Sequence, residues 1–130
     1  VGPGGLGGGA MPVVFDPRVG SGLIGHLLGA MNGAAAARQT SFLLGREEEA
    51  LFDPAIRIIE DPLRPRGLAS RALDGEGVAT QRRALVERGR IFGWLTNAAA
   101  ARQLAAPLTG HATRGGGGAP GIATSNVHLE

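Results

Sequence analysis

Val19–Ala37, VGSGLIGHLLGAMNGAAAA, is the stretch whose reading decides the fold. It holds nineteen uncharged residues between Arg18 and Arg38. Leu23, Ile24, Leu27, Leu28 and Met31 recur at steps of three and four, the period of an α-helix. Gly25, Gly29 and Gly33 fall four apart, and Ala37 continues the row. A glycine inside a helix costs about 1 kcal/mol relative to alanine. Three on one ridge therefore predict that another backbone packs closely against it. Ser21 is positioned to cap this helix, which fades near Arg38.

The length of the stretch also permits a membrane span, and small-residue rows of this kind occur in membrane dimers. Ser21, His26, Asn32 and the alanine tail leave it weakly apolar. The reading taken is a helix buried against a neighbour, with no membrane as partner.

Outward from this helix the chain alternates short apolar runs and breakers. MPVVFDP (11–17) reads as a strand stopped at Asp16-Pro17, and SFLLG (41–45) as a short segment ended by Gly45. Glu47–Glu49 are three adjacent carboxylates, a solvated face rather than an acid/base pair. AIRIIE (55–60) is β-rich, with Ile56 and Ile58 on one side and Arg57 and Ile59 on the other. DPLRPRG (61–67) is loop. The next segment is loop or edge strand and ends in the turn Asp74–Gly77. VATQRRALVE (78–87) and RIFGWL (90–95) form a hairpin around Arg88-Gly89, where Gly89 supplies the positive φ. Asn97 or Thr96 caps a second helix, NAAAARQLAA, stopped by Pro107. Residues 108–126 read as a long glycine-rich loop, and VHLE (127–130) begins another strand. Hairpins dominate over crossovers, so the fold class is α+β, with an antiparallel or mixed sheet and two main helices.

Composition bounds the rest. At 130 residues the chain is one domain or part of one. Residues 1–10 form a flexible glycine-rich lead-in and 11–130 the domain. The first Met is Met11, which suggests a piece of a longer chain. No cysteine is present, which excludes disulfides and thiolate metal ligands and fits the cytoplasm. All thirteen basic residues are Arg, and the net charge is only +2. They are scattered without aromatic neighbours, so nucleic acid is not an expected partner.

Few residues point to chemistry. His26 lies on the first helix, but a helical zinc site needs a second ligand nearby and a carboxylate to activate water. No carboxylate lies between Asp16 and Glu47. His111 and His128 have no ligand spacing. Ser21, in GSG, lacks the frame of a serine nucleophile. Gly115–Gly118 admit a phosphate cradle or a flexible loop, without the continuation of a P-loop. Asp74 and Glu76 form either an acid–base pair or a turn held by backbone N–H groups.

VVFDPRV (13–19), NGAAAARQTSFL (32–43) and the long run from Glu60 to Leu104, with its DGEG turn, LVERGRIFGWL hairpin and NAAAARQL helix, together resemble the C-terminal region of the TldD/PmbA family. The likeness runs from about Pro12 to the end, while members are several times longer. It implies a cytoplasmic protein of a zinc-dependent proteolytic system, in which a TldD-type and a PmbA/TldE-type subunit pair and act on extended peptides. The TldD-type subunit carries HExxxH on a helix corresponding to the first helix here. Anchored on Thr40-Ser41, this chain has Ile24 and Gly25 at the His-Glu positions and Gly29 at the second His. Sliding His26 into the first place puts Leu27 and Met31 at the other two.

Neither register supplies the motif, so no catalytic, cofactor-binding or metal-binding residue is assigned. The expectation is a PmbA/TldE-like non-catalytic scaffold subunit, with zinc in a TldD-type partner. The partner is that subunit or a second copy of this chain. The alternatives are a peptidase in its own right, with ligands such as His111 or residues outside this stretch, and an interaction module of the kind called modulator of DNA gyrase.

Overall fold

The computed structural model describes residues 4, 5 and 7–130; Val1, Gly2, Pro3 and Leu6 of the lead-in lie outside the described residues. Among these residues three helices accompany two antiparallel sheets, an α+β fold.

Helix α1 (Pro17–Ala30) starts earlier than the sequence suggests. Asp16 is its N-cap and accepts from the Arg18 N–H at 2.9 Å, with Pro17 at the first helical position, where its missing N–H costs nothing. Ser21 therefore does not cap; it lies inside the helix and its hydroxyl donates to the Arg18 carbonyl at 2.8 Å. The apolar run before it is not a strand. Met11, Val13, Val14 and Phe15 are exposed and find no neighbour to pair with.

The predicted single helix over 19–37 is two. Helix α2 (Gly33–Ala37) restarts after a break at Met31-Asn32, capped by the Asn32 side chain on the Ala34 N–H. The reason is competition for backbone groups. Leu95 donates its N–H to the Met31 carbonyl at 2.9 Å and accepts the Gly33 N–H at 2.8 Å, so Asn32 pairs with Leu95 as a β-bridge would. A Cβ at Gly33 would lie 2.7 Å from the Leu95 carbonyl oxygen. The close backbone contact predicted for the glycine row is thus real at Gly33. At Gly25 and Gly29 it is not, since a Cβ there would meet nothing within 4 Å.

Strands β1 (Ile58–Glu60), β2 (Arg83–Glu87), β3 (Arg90–Ile91) and, at the end of the chain, β6 (Val127–Leu129) form one sheet in the order β3-β2-β1-β6. A bulge between Ile58 and Ile59 breaks the in–out alternation, so Ile58, Ile59 and Glu60 are all buried. Arg88 and Gly89 both hold positive φ (51° and 74°), the turn that matches the twist of a two-residue hairpin. Helix α3 (Ala98–Leu104) begins at the Asn97 cap and ends in left-handed Ala105, two residues before Pro107. The stretch 108–126 is not all loop: β4 (Ala112–Thr113) and β5 (Gly121–Ile122) pair as a small hairpin.

Leu27, Ala30, Met31, Leu43, Ile58, Leu85, Val86, Ile91 and Leu95 form the core. It lies between the C-terminal half of α1 and the sheet. Ala36, Ala100 and Ala101 are also buried, where small side chains let α2 and α3 approach closely.

Candidate functional site

The sequence places one histidine on α1 and the structure leaves His26 exposed there, away from the core. His128 is partly buried on edge strand β6, 3.2 Å from Glu130. Around it lie Arg57, bonded to Glu130 at 2.7 Å, and Arg82, 3.9 Å from Asp61. These are surface ion pairs, which water and salt screen.

His111 is different. It is 1% exposed, and its Nε2 lies 2.7 Å from an equally buried Glu60 carboxylate oxygen. The other Glu60 oxygen accepts from the Ser125 N–H at 2.6 Å and hydroxyl at 2.9 Å. His111 Nδ1 lies 2.8 Å from the Thr109 hydroxyl, which in turn accepts from the Thr96 N–H at 2.7 Å. The Nε2–H of His111 donates to Glu60, and Nδ1 pairs with the Thr109 hydroxyl, so both ring nitrogens have partners. Burial works against the charge on Glu60, but His111 and the two Ser125 donors outweigh it and hold its pKa below the ordinary glutamate value. The order Ser125–Glu60–His111 places the carboxylate between serine and histidine. The serine hydroxyl faces the carboxylate and not the imidazole, so the group is not a Ser–His–acid triad.

Sequence reasoning missed this pairing because Glu60 and His111 stand 51 residues apart. The available signals were a charged residue closing the apolar run 55–60 and a histidine in an otherwise small-residue loop.

Asp74 and Glu76 do not face each other as an acid–base pair. One Asp74 oxygen accepts from Glu76 N–H and Val78 N–H, both at 2.9 Å, and the other from Ala112 N–H at 3.0 Å. Burial opposes its charge, yet these donors and nearby Arg71 together lower its pKa. The Glu76 carboxylate instead accepts from the Ala98 N–H at 2.8 Å, at the start of α3. The DGEG turn is thus a structural clip between α3 and the β4–β5 hairpin. Gly115–Gly118 form the exposed tip of that hairpin.

Of the concave surfaces among the described residues, two border α1. A groove of about 650 Å³ runs between the first turns of α1 and the β1–β6 edge, lined mainly by Phe15, Leu23, Ile24, Phe52 and Leu129. It contains no acid, base or metal ligand. A smaller cleft of about 160 Å³ lies between Leu28, Gly29, Asn32 and Leu95 on one side and Ile122–Thr124 on the other.

The zinc that the family resemblance implies does not fit these residues. Among the described residues no three His, Cys, Asp or Glu come together in a way that could hold a metal. The buried Glu60–His111 pair offers two donors, and all four of their polar atoms are already engaged. No helix among the described residues is long and apolar enough to cross a membrane.

Residues 8–130 match the family described as PmbA/TldA metallopeptidase C-terminal domain. The chain is 40% identical over 101 residues to Metalloprotease PmbA of Escherichia coli O157:H7, covering 78% of this chain and 22% of that protein. The crystal structure of TldE from Thermococcus kodakarensis superposes with a TM-score of 0.72 at 28% identity, over 80% of this chain and 24% of that one. A Bacteroides thetaiotaomicron protein provisionally named a modulator of DNA gyrase gives a TM-score of 0.74 at 23% identity, over 88% and 24% of the two chains, a likeness of fold. The chain spans about a quarter of the length of these relatives. Matched both by sequence and by fold, the chain belongs to the PmbA/TldD family and carries that family's C-terminal domain.

Proposed function

We propose that this domain belongs to a PmbA/TldE-like, non-catalytic subunit of a cytoplasmic metallopeptidase system, pairing with a zinc-bearing TldD-type subunit that cleaves extended peptides. One observation carries the reading. Where the resemblance puts the zinc motif, α1 presents Ile24, Gly25 and Gly29, whose side chains have no atom able to bind metal or activate water. The similarity to TldE of Thermococcus kodakarensis supports the choice of branch. The position of β6 at the sheet edge among the described residues and the apolar groove beside it suit the scaffold role, since an extended chain can add to a sheet edge through its backbone.

The printed name of the Escherichia coli relative, Metalloprotease PmbA, favours a second reading: a peptidase whose ligands lie elsewhere in the polypeptide. The test is metal content and peptidase activity of the full-length polypeptide, alone and with its TldD-type partner. Zinc and chelator-sensitive cleavage are expected only in the mixture. Stoichiometric zinc and cleavage by the lone polypeptide would overturn the scaffold reading in favour of the second.

A further inference from the structure

Glu47 and Glu48 stand apart from the other carboxylates. Among the described residues, every other acidic side chain meets a cation, a histidine or a backbone N–H, from Asp16 on Arg18 to Glu130 on Arg57; these two meet none. The turn that carries them keeps them so. Arg46 is engaged by Glu49 at 2.8 Å, and the Glu49 N–H closes the turn on the Arg46 carbonyl at 3.0 Å. Glu47 and Glu48 are its two central residues. Just beyond, the Leu51 and Phe52 N–H groups both donate to the Gly89 carbonyl, which ties the turn to the β2–β3 hairpin.

The two glutamates line a cleft of about 430 Å³, shared with Phe92, Trp94 and Pro107. Trp94 is the only tryptophan of the chain. The Pro107 side is fixed by Thr96, whose hydroxyl donates to the Pro107 carbonyl at 2.7 Å. Aromatic rings attract cations over their faces, and Phe92 does so here, with the Arg83 guanidinium 4.9 Å from its ring centre. Arg83 is engaged there and on the Thr109 carbonyl. Arg90 also lines the cleft, but it stands opposite Glu87 in the β2–β3 ladder and forms no ion pair with Glu47 or Glu48. Two carboxylates against that one guanidinium leave the cleft net negative.

Acids on a convex surface need only water. Acids beside a partly buried indole in a concave site match a group with an apolar stem and a cationic head. A guanidinium fits best, since its plane stacks on an aromatic ring while its N–H fork meets carboxylates. We propose that this cleft binds the side chain of an arginine presented by a peptide, stacked on Trp94 and hydrogen-bonded to Glu47 and Glu48. It shares no lining residue with the groove beside β6, and it is independent of whether the polypeptide pairs with a zinc-bearing subunit.

An NMR titration of the full-length polypeptide, read at the Trp94 indole N–H, tests it. The probes are a capped alanine–glycine hexapeptide with one central arginine and its twin with citrulline, which keeps the shape and loses the charge. The arginine peptide should bind roughly five- to twentyfold more tightly. The double variant Glu47→Gln with Glu48→Gln should remove that advantage and leave the citrulline peptide unchanged. Equal binding of the two peptides, no response at Trp94, or an advantage that survives in the double variant would overturn the site. So would a double variant that loses stability in a polypeptide that binds neither peptide, because a basic side chain of the same polypeptide would then fill the cleft.

Discussion

Replacing Asp74 with asparagine tests whether the DGEG turn is a clip. The carboxylate accepts three backbone N–H groups, two on one oxygen and one on the other. Asparagine can keep the Glu76 and Val78 bonds on its single oxygen, at neutral rather than charge-assisted strength. Its NH2 group then faces the Ala112 N–H, donor against donor, at a site where Asp74 is buried. A stranded buried N–H costs about 1–3 kcal/mol, and weakening two charged bonds adds about 1 kcal/mol more. The expected loss is therefore about 2–4 kcal/mol. With a slope of roughly 1–3 kcal/mol per molar urea, the midpoint should fall by about 1–2 M. Acid should erase the difference. Since the folded pKa lies below the ordinary Asp value, the contribution is fully present above about pH 4 and fades as pH falls through the folded pKa. The gap between the unaltered protein and Asp74→Asn should accordingly narrow on acidification. Coincident midpoints at pH 7, or a gap that widens in acid, would refute the clip.

The glycine row should split in thermal melts of the subunit: Gly25→Ala and Gly29→Ala gain about 0.5–1 kcal/mol each, since their Cβ positions are open and alanine favours helix. Gly33→Ala should lose about 1–3 kcal/mol, because its Cβ meets the Leu95 carbonyl. Asn97→Ala removes both the bond that caps α3 through the Ala100 N–H and the bond to the Pro120 carbonyl. It should cost about 2–3 kcal/mol in chemical unfolding, with Asn97→Ser recovering part of the loss through its capping hydroxyl.

Local chemistry made much of this legible. Arg88-Gly89 between two β-rich runs marks the hairpin, and Asn97 before four alanines marks a helix start, because turn and cap preferences act within a few residues. The break at Met31-Asn32 is not local. It depends on Leu95, far along the chain, drawing off two backbone groups that a continuous helix would use. The run Met11–Phe15 has the composition of a strand, but a strand forms only against a partner. The β4–β5 hairpin was hidden by its glycines, whose order comes from Glu60 and Asp74 rather than from propensity. The family resemblance was legible where the motifs are dense, from Glu60 to Leu104. The buried Glu60–His111 pair was not, since no periodicity links a strand end to a glycine-rich arm.

The two hairpin tips also differ in what they allow the polypeptide to become. Tips are the usual places where chains accept insertions, cuts and relocated termini. At Arg88-Gly89 that freedom is gone. The Gly89 carbonyl accepts from both Leu51 and Phe52 N–H groups, and any side chain there would run into the Phe52 carbonyl. A longer turn would have to dislodge the segment crossing over it. At the Gly115–Gly118 tip an added Cβ would meet nothing, so variation in length, an inserted epitope or a circular permutation belongs there, at the free end of the arm that Glu60 fastens.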